Sequence, residues 1–199
     1  AITPHYDPMI AKLIVWGRDR EHARARMKQA LTGFEVVGPA TNVGFLSRLL
    51  DCGAFARAEL DTGLIEHEKA ALLPAPERPP LLARAIAAAA VLAGEADEAA
   101  RQAHGHARHD PWNLRNGWRA SGALRRTLPF DAAGEPCSVQ VDYAPRGWTV
   151  RDGDDAICIA DLRWSPAERR LRGLVGDRAF EAGVVLDGET LPLFMADGH

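Results

Sequence analysis

Leu81-Leu82-Ala83-Arg84-Ala85-Ile86-Ala87-Ala88-Ala89-Ala90-Val91-Leu92-Ala93-Gly94-Glu95-Ala96-Asp97-Glu98-Ala99-Ala100-Arg101-Gln102-Ala103 decides how this chain is read. Alanine, leucine, glutamate and arginine dominate it, and these residues lose little conformational freedom in a helix. It predicts a helix over residues 81–103. Leu82, Ile86, Ala89, Ala90 and Ala93 fall on one face. The side chains there are mostly small, so another element can approach the helix closely. Gly94 is expected to be a weak point or a local end.

Just before the helix, residues 73–80 read Leu-Pro-Ala-Pro-Glu-Arg-Pro-Pro. Four prolines remove amide donors and disfavour helix, so the segment is expected to be an extended, semi-rigid linker. It divides the chain into residues 1–72 and 81–199.

The segment after His109 changes character. Short strand-like runs begin at Trp118, Leu124, Cys137, Trp148, Ala156, Arg170, Ala179 and Thr190. Many alternate in polarity, as in Ser138-Val139-Gln140-Val141-Asp142-Tyr143, and turn residues separate them. Asp187-Gly188 between two runs is a strong hairpin signal. The expectation is an antiparallel barrel over 118–199, joined to the long helix by a loop at 104–117. Residues 196–199 look like a turn whose second strand is missing.

The N-terminal part reads as a strand–helix–strand–helix unit. Residues 9–16 form a dense apolar strand candidate that needs neighbours. Asp19 can cap a helix over residues 20–31, with Ala23, Met27, Ala30 and Leu31 on one face. A second strand is expected at 34–37, a helix capped by Asn42 at 43–50, and a short helix after Asp61 or Thr62. The unit is too small to bury a generous core by itself. The fold class is thus α+β: a small α/β remnant followed by a long helix packed within an antiparallel β-barrel, with both ends expected to be cut.

The bulk numbers exclude several roles. The chain has 199 residues, a net charge of -3 and interspersed charges, so it lacks the basic stripe that nucleic acid requires. Its longest apolar run is far shorter than the roughly 20 residues that span a bilayer. Nothing resembles a signal peptide. Cys52, Cys137 and Cys158 are odd in number and scattered, which fits a reducing compartment rather than a disulfide framework. The expectation is a soluble, intracellular protein without a nucleic acid or membrane partner.

Chemistry-bearing clusters are sparse. His104, His106 and His109 lack a nearby carboxylate or cysteine set, so a solvated helix end outweighs a metal site. Asp152, Asp154 and Asp155 lack the further ligands of a Ca²⁺ loop and read as a hairpin turn. The arginine pairs 125–126 and 169–170 read as solvated strand faces or edge protection. Cys52 has no adjacent base to activate it. No catalytic or metal-binding residue is therefore expected.

A family resemblance adds to this reading. Tyr6-Asp7-Pro8-Met9-Ile10-Ala11-Lys12-Leu13, then Asp19-Arg20 with Ala25-Arg26-Met27, then Val37-Gly38-Pro39-Ala40-Thr41-Asn42 resemble the C-terminal end of a biotin carboxylase domain, to about Glu68. Asp110-Pro111-Trp112-Asn113 and Asn116-Gly117-Trp118-Arg119 resemble the start of the mediating barrel, or BT domain, in alpha subunits of biotin-dependent acyl-CoA carboxylases. Asp61-Thr62-Gly63-Leu64-Ile65-Glu66 and the middle region are most similar to the 3-methylcrotonyl-CoA branch; propionyl-CoA and geranyl-CoA carboxylases are the alternatives, and a stand-alone ligand-binding barrel is a more distant one.

The resemblance implies a parent that carboxylates biotin with ATP and Mg in leucine degradation. The implied partners are a carboxyltransferase beta subunit, other alpha subunits and the parent's biotin carrier domain. It implies a cytoplasmic location in a bacterium and the mitochondrial matrix in a eukaryote. The phosphate loop and the biotinylated lysine are absent from these 199 residues, so this part is expected to mediate subunit association without catalysis or a cofactor of its own. By position in the family pattern, Thr62 is implied at the adenine pocket of an intact domain, and Tyr6 and Asp7 near a dimer surface. Pro111, Trp112, Asn113 and Arg115 are implied in a hook that reaches the beta subunit, with Trp112 the anchor and Trp118 in the core.

Overall fold

A computed structural model describes Met9, residues 11–103, Gly117, Arg119, Gly122, and residues 124–132, 134–144 and 146–195. The chain divides into two compact units, Ala1–Pro74 and Ala75–His199.

The first unit is helical among its described residues. Its helices are α1 (Arg20–Thr32), α2 (Val43–Asp51) and three single turns, α3 (Gly53–Ala56), α4 (Leu64–His67) and α5 (Lys69–Leu72). Asp19 caps α1 as expected, its Oδ1 accepting from the His22 amide at 2.7 Å. Asn42 makes no side-chain cap at α2. The two strands expected here do not form: the described residues of 9–16 and all of 34–37 carry no ladder. The physical reason is partnership. A strand's amides are satisfied by a neighbouring strand, and none lies beside these segments among the described residues. Ile14 and Trp16 are accordingly 77% and 71% exposed.

What this unit buries among its described residues is small: Leu31, Leu50, Cys52 and Leu72. Polar ties supplement that core. Arg24 Nη1 donates to the Leu50 carbonyl at 2.5 Å, and Arg48 Nε donates to the Leu72 carbonyl at 2.8 Å. Lys28 and Asp51 pair at 2.7 Å, and the Arg20 guanidinium lies 4.9 Å from the Phe55 ring centre.

The second unit is a helix wrapped by a sheet. Helix α6 (Leu81–Gln102) runs unbroken through Gly94. Seven strands follow: β1 (Arg125–Ala132), β2 (Glu135–Ala144), β3 (Gly147–Asp152), β4 (Asp155–Ser165), β5 (Arg170–Val175), β6 (Arg178–Val184) and β7 (Leu193–Met195). All neighbouring pairs are antiparallel, in the order β1-β2-β3-β4-β5-β6-β7. Short turns make this meander possible, and the expected Asp187-Gly188 turn closes through an Asp187–Thr190 bridge.

The sheet is a curled, open half-barrel rather than the closed barrel expected. Closure requires the two outer strands to pair, and β1 and β7 do not pair among the described residues. β7 is only three residues long, which leaves little ladder to offer. Of the strand expected from Trp118, only Arg119 is described, and it lies outside any strand.

Burial of α6 exceeds the single face that periodicity suggests. Ala83, Arg84, Ala85 and Ile86 are buried in succession, as are Ala88, Ala89 and Ala90, then Leu92 and Ala93. Consecutive buried residues point in all directions around a helix, so the sheet covers most of its circumference. The covering residues include Leu128, Val139, Val141, Val150, Ile159, Leu171, Ala182 and Val184. Alanine is what permits this, because its short side chain lets strand side chains reach the helix backbone.

A bulge in β4 keeps the sheet on the helix. Its register shifts between Ala160 and Arg163, where Asp161 adopts a φ of 51°. Before the bulge, Ile157 and Ile159 pack on the core; after it, Leu162 and Trp164 do. The extra residue changes the parity of the strand and increases its bend. Gly147 faces this region at a φ of 154°, and a Cβ there would collide with the Ile159 carbonyl oxygen.

Candidate interaction site

Several charged side chains of the second unit fasten its elements to one another. Arg84, 8% exposed among the alanines of α6, reaches Asp152 at the end of β3 with Nη1 2.7 Å from Oδ2. Its Nε donates to the Pro79 carbonyl at 3.0 Å, and Arg78 adds a second pair to Asp152 at 3.1 Å. These guanidinium groups hold the Asp152 carboxyl below its ordinary range, chiefly through the Arg84 contact. The linker end, the start of α6 and the β3–β4 turn are thereby joined. Asp152, Gly153, Asp154 and Asp155 form that hairpin turn, as the sequence indicates.

A second fastener sits about three turns of helix further on. Arg126 of β1 grips Glu95 of α6 in a fork, with Nη1 to Oε2 at 2.6 Å and Nη2 to Oε1 at 2.9 Å. Tyr143 Oη lies 3.4 Å from the same guanidinium. The contacts to Glu95 and then Tyr143 raise the Arg126 pKa further above its ordinary value. Arg126 is therefore not the solvated surface arginine expected from the sequence. Arg125 faces the other way, toward Asp142, which also accepts from Arg151. Arg170 is half-buried and pairs with Glu181 at 3.5 Å, another departure from a free solvated face.

Beyond Glu95 the helix emerges from its wrapping, and a cleft of about 230 Å³ opens beside it. Gly94, Asp97 and Arg101 form the helix wall; Trp164, Pro166 and Arg169 come from the β4–β5 corner, and Val184, Val185 and Leu186 from the end of β6. Gly94 is not a local end of the helix, which continues to Gln102. A Cβ at this position would lie 2.5 Å from Leu186 Cδ1.

The residues singled out in the sequence fall into two groups. Thr62 is described and lies on an exposed turn, where the Gly63 amide donates to Asp61 Oδ1 at 2.7 Å. Tyr6, Asp7, Pro111, Trp112, Asn113 and Arg115 lie outside the described residues, as do Trp118 and the histidines at 104, 106 and 109. Among the described residues, no three His, Cys, Asp or Glu side chains converge on a metal position. No helix among them is long and apolar enough to cross a membrane. Cys52 is buried and Cys158 is exposed, with its Sγ 3.5 Å from Thr149 Oγ1. Sequence reasoning missed Arg84, Glu95, Arg126 and the Gly94 contact. A lone arginine inside an alanine run was the available signal for the first of these.

Residues 1–67 match the family model of the biotin carboxylase C-terminal domain. Residues 82–199 match that of the methylcrotonyl-CoA carboxylase alpha-subunit BT domain. The mitochondrial methylcrotonoyl-CoA carboxylase subunit alpha of Dictyostelium discoideum is 31% identical over 153 residues, covering 76% of this chain and 21% of that protein. Its counterpart in Rattus norvegicus is 26% identical over 200 residues, 99% of this chain and 28% of the relative. That of Arabidopsis thaliana is 45% identical over 71 residues, 36% of this chain and 10% of the relative. The chain thus spans less than a third of the length of these curated relatives. With its second unit matched almost end to end, the chain belongs to the methylcrotonyl-CoA carboxylase alpha-subunit BT domain family.

Proposed function

We propose that this chain is the central part of the alpha subunit of a 3-methylcrotonyl-CoA carboxylase, and that residues 81–199 hold the carboxyltransferase beta subunit without performing catalysis. The observation that carries the reading is the match of residues 82–199 to the BT domain of that subunit. The architecture supports it. A rigid helix clamped by Arg84–Asp152 and Arg126–Glu95 is a scaffold, and its polar side chains are occupied in holding it together. A scaffold of this kind acts by raising effective concentration: it keeps two active sites and a travelling carrier in one assembly.

In the whole enzyme, ATP, Mg and biotin would supply the carboxylation chemistry, and a beta subunit would pass the carboxyl group to the acyl-CoA. The described residues offer no metal-binding constellation for that step. Thr62 at the adenine pocket, and Tyr6 and Asp7 at an alpha–alpha surface, are proposals of the same standing, as are contacts to further alpha subunits and to the biotin carrier domain. The closed barrel is the finer proposal for the fold: the open edges of β1 and β7 would be paired in the complete subunit. The mitochondrial designation of the eukaryotic relatives supports the matrix as the compartment if the parent is eukaryotic.

We assign the hook to Pro111, Trp112, Asn113 and Arg115, with Trp112 as the anchor. Aromatic side chains bury a large area for little conformational entropy, which is why few residues carry most of an interface's energy. The test is capture of the cognate beta subunit by full-length alpha subunit. Trp112→Ala is expected to weaken capture by about tenfold or more. Undiminished capture would remove Trp112 from the interface, and no capture by the wild-type subunit would overturn the association reading itself.

A further inference from the structure

We infer that Tyr143 is a positioning residue for beta-subunit association: its ring seats Gly117, the last residue of the connecting segment, and thereby sets the placement of Trp112. The inference rests on the association reading above and on the hook assigned there.

Gly117 is held in two ways that favour glycine alone. Its φ of 73° lies in the left-handed region, where a side chain is strained. A Cβ there would lie 2.3 Å from Cδ1, 2.4 Å from Cγ and 2.6 Å from Cβ of Tyr143. Those atoms are at the root of the side chain, so the ring cannot yield without leaving its rotamer. The Gly117 backbone is therefore laid directly on the Tyr143 side chain. Gly134 and Gly176 are also left-handed, but a Cβ on either would meet nothing within 4 Å among the described residues. Those two serve turns, whereas Gly117 serves a contact.

The seat is itself fixed. Tyr143 pairs with Trp148 across β2 and β3, and their rings meet edge to face with centres 6.2 Å apart. Both rings pack against the core around α6. The Tyr143 amide donates to the Leu124 carbonyl at 3.0 Å. Its Oη accepts from Arg126 at 3.4 Å, and Arg126 is forked onto Glu95 of α6. At that length the hydroxyl adds little, so the ring is what carries Gly117. At its other end the connecting segment leaves α6 at Ala103, whose amide donates to the Ala99 carbonyl at 3.1 Å. Pro111, Trp112, Asn113 and Arg115 lie between these two ends in the sequence. A segment fixed at both ends has fewer conformations to lose when a partner orders it, which strengthens binding without a new contact.

The experiment measures the affinity of full-length alpha subunit for the cognate beta subunit. The variants are Gly117→Ala, Tyr143→Leu, Tyr143→Phe, Trp112→Ala, and Gly117→Ala combined with Trp112→Ala. Gly176→Ala is the control, because its φ of 59° brings similar backbone strain without a ring contact. The account expects Gly117→Ala and Tyr143→Leu each to weaken binding about tenfold, since the seated arrangement becomes a minor population. Tyr143→Phe keeps the ring and is expected to bind within about twofold of wild type, as is Gly176→Ala. Coupling separates positioning from general destabilisation. Gly117→Ala should weaken binding little further once Trp112 is gone, whereas a loss unrelated to the hook would multiply that of Trp112→Ala. Equal losses in the two backgrounds would overturn the inference and leave the hook standing, as would wild-type affinity in Gly117→Ala and Tyr143→Leu beside a weakened Trp112→Ala. A loss in Tyr143→Phe as large as in Tyr143→Leu would assign the effect to the hydroxyl and also overturn the seat. If Gly117→Ala does not fold, the same cycle with Tyr143→Leu gives the answer. Undiminished binding by Trp112→Ala would remove the hook and this inference together, and absence of binding by the wild type would remove the association reading as well.

Discussion

Asp142 shows how far one residue can be followed. It sits on β2 opposite Arg125 of β1 and near Arg151 of β3, and accepts from both at 2.6 and 3.1 Å. The Arg125 hydrogen bond is the main reason its carboxyl is held below the ordinary range, although the site's partial burial opposes this. A depressed folded-state pKa stabilises the fold above the unfolded value of about 4, and the contribution is lost as pH falls through the folded value. Asp142→Asn should therefore lower the urea midpoint at pH 7, and the difference from wild type should shrink to nothing near the acid limit. An equal deficit at both ends of the pH range would mean that the carboxylate's charge is not what holds the three strands there. Arg84 teaches the complementary lesson about legibility. An arginine in an alanine run is visible in the sequence, but its partner lies on a turn 68 positions later, and only the wrapping of the helix brings them to 2.7 Å.

At the scale of elements, α6 and the strands were legible and the N-terminal strands were not, for one physical reason. Helix propensity and capping are local, so the alanine-rich run and Asp19 announced their structure without help. Strands β1 to β6 announced theirs through alternation and turn residues, and their partners lie next to them in the chain. Residues 9–16 and 34–37 are equally apolar, but a strand is completed only by neighbours. The bulge at Asp161 was illegible because alternation continues on both sides of it with the parity reversed. Gly94 was misread as a local end because intrinsic propensity penalises glycine in a helix, whereas α6 runs through it unbroken. The close wrapping of α6 makes a sharp prediction. Ala89→Leu, at a fully buried position, should destabilise the second unit by about 1–3 kcal/mol through overpacking. Ala100→Leu, on the exposed end of the same helix, should change stability by less than about 0.5 kcal/mol. Chemical denaturation of the two variants checks the pair; equal effects would contradict the wrapped geometry.

The whole molecule consists of two units that differ in self-sufficiency. Among its described residues, Ala1–Pro74 buries Leu31, Leu50, Cys52 and Leu72 and leaves Ile14, Trp16 and Leu60 more than half exposed. Ala75–His199 has a continuous core from Ala85 through Val184 and two internal charge clamps. Area arguments therefore place independent stability in the second unit, where the proposed association also lies. The central claim is that this unit suffices to engage the beta subunit. Sedimentation velocity of residues 75–199 mixed with the cognate beta subunit tests it most directly, with full-length alpha subunit alongside. The account predicts that residues 75–199, showing the circular dichroism of a folded helix and sheet, co-sediment with the beta subunit. Co-sedimentation of full-length alpha but not of the folded 75–199 unit would contradict it.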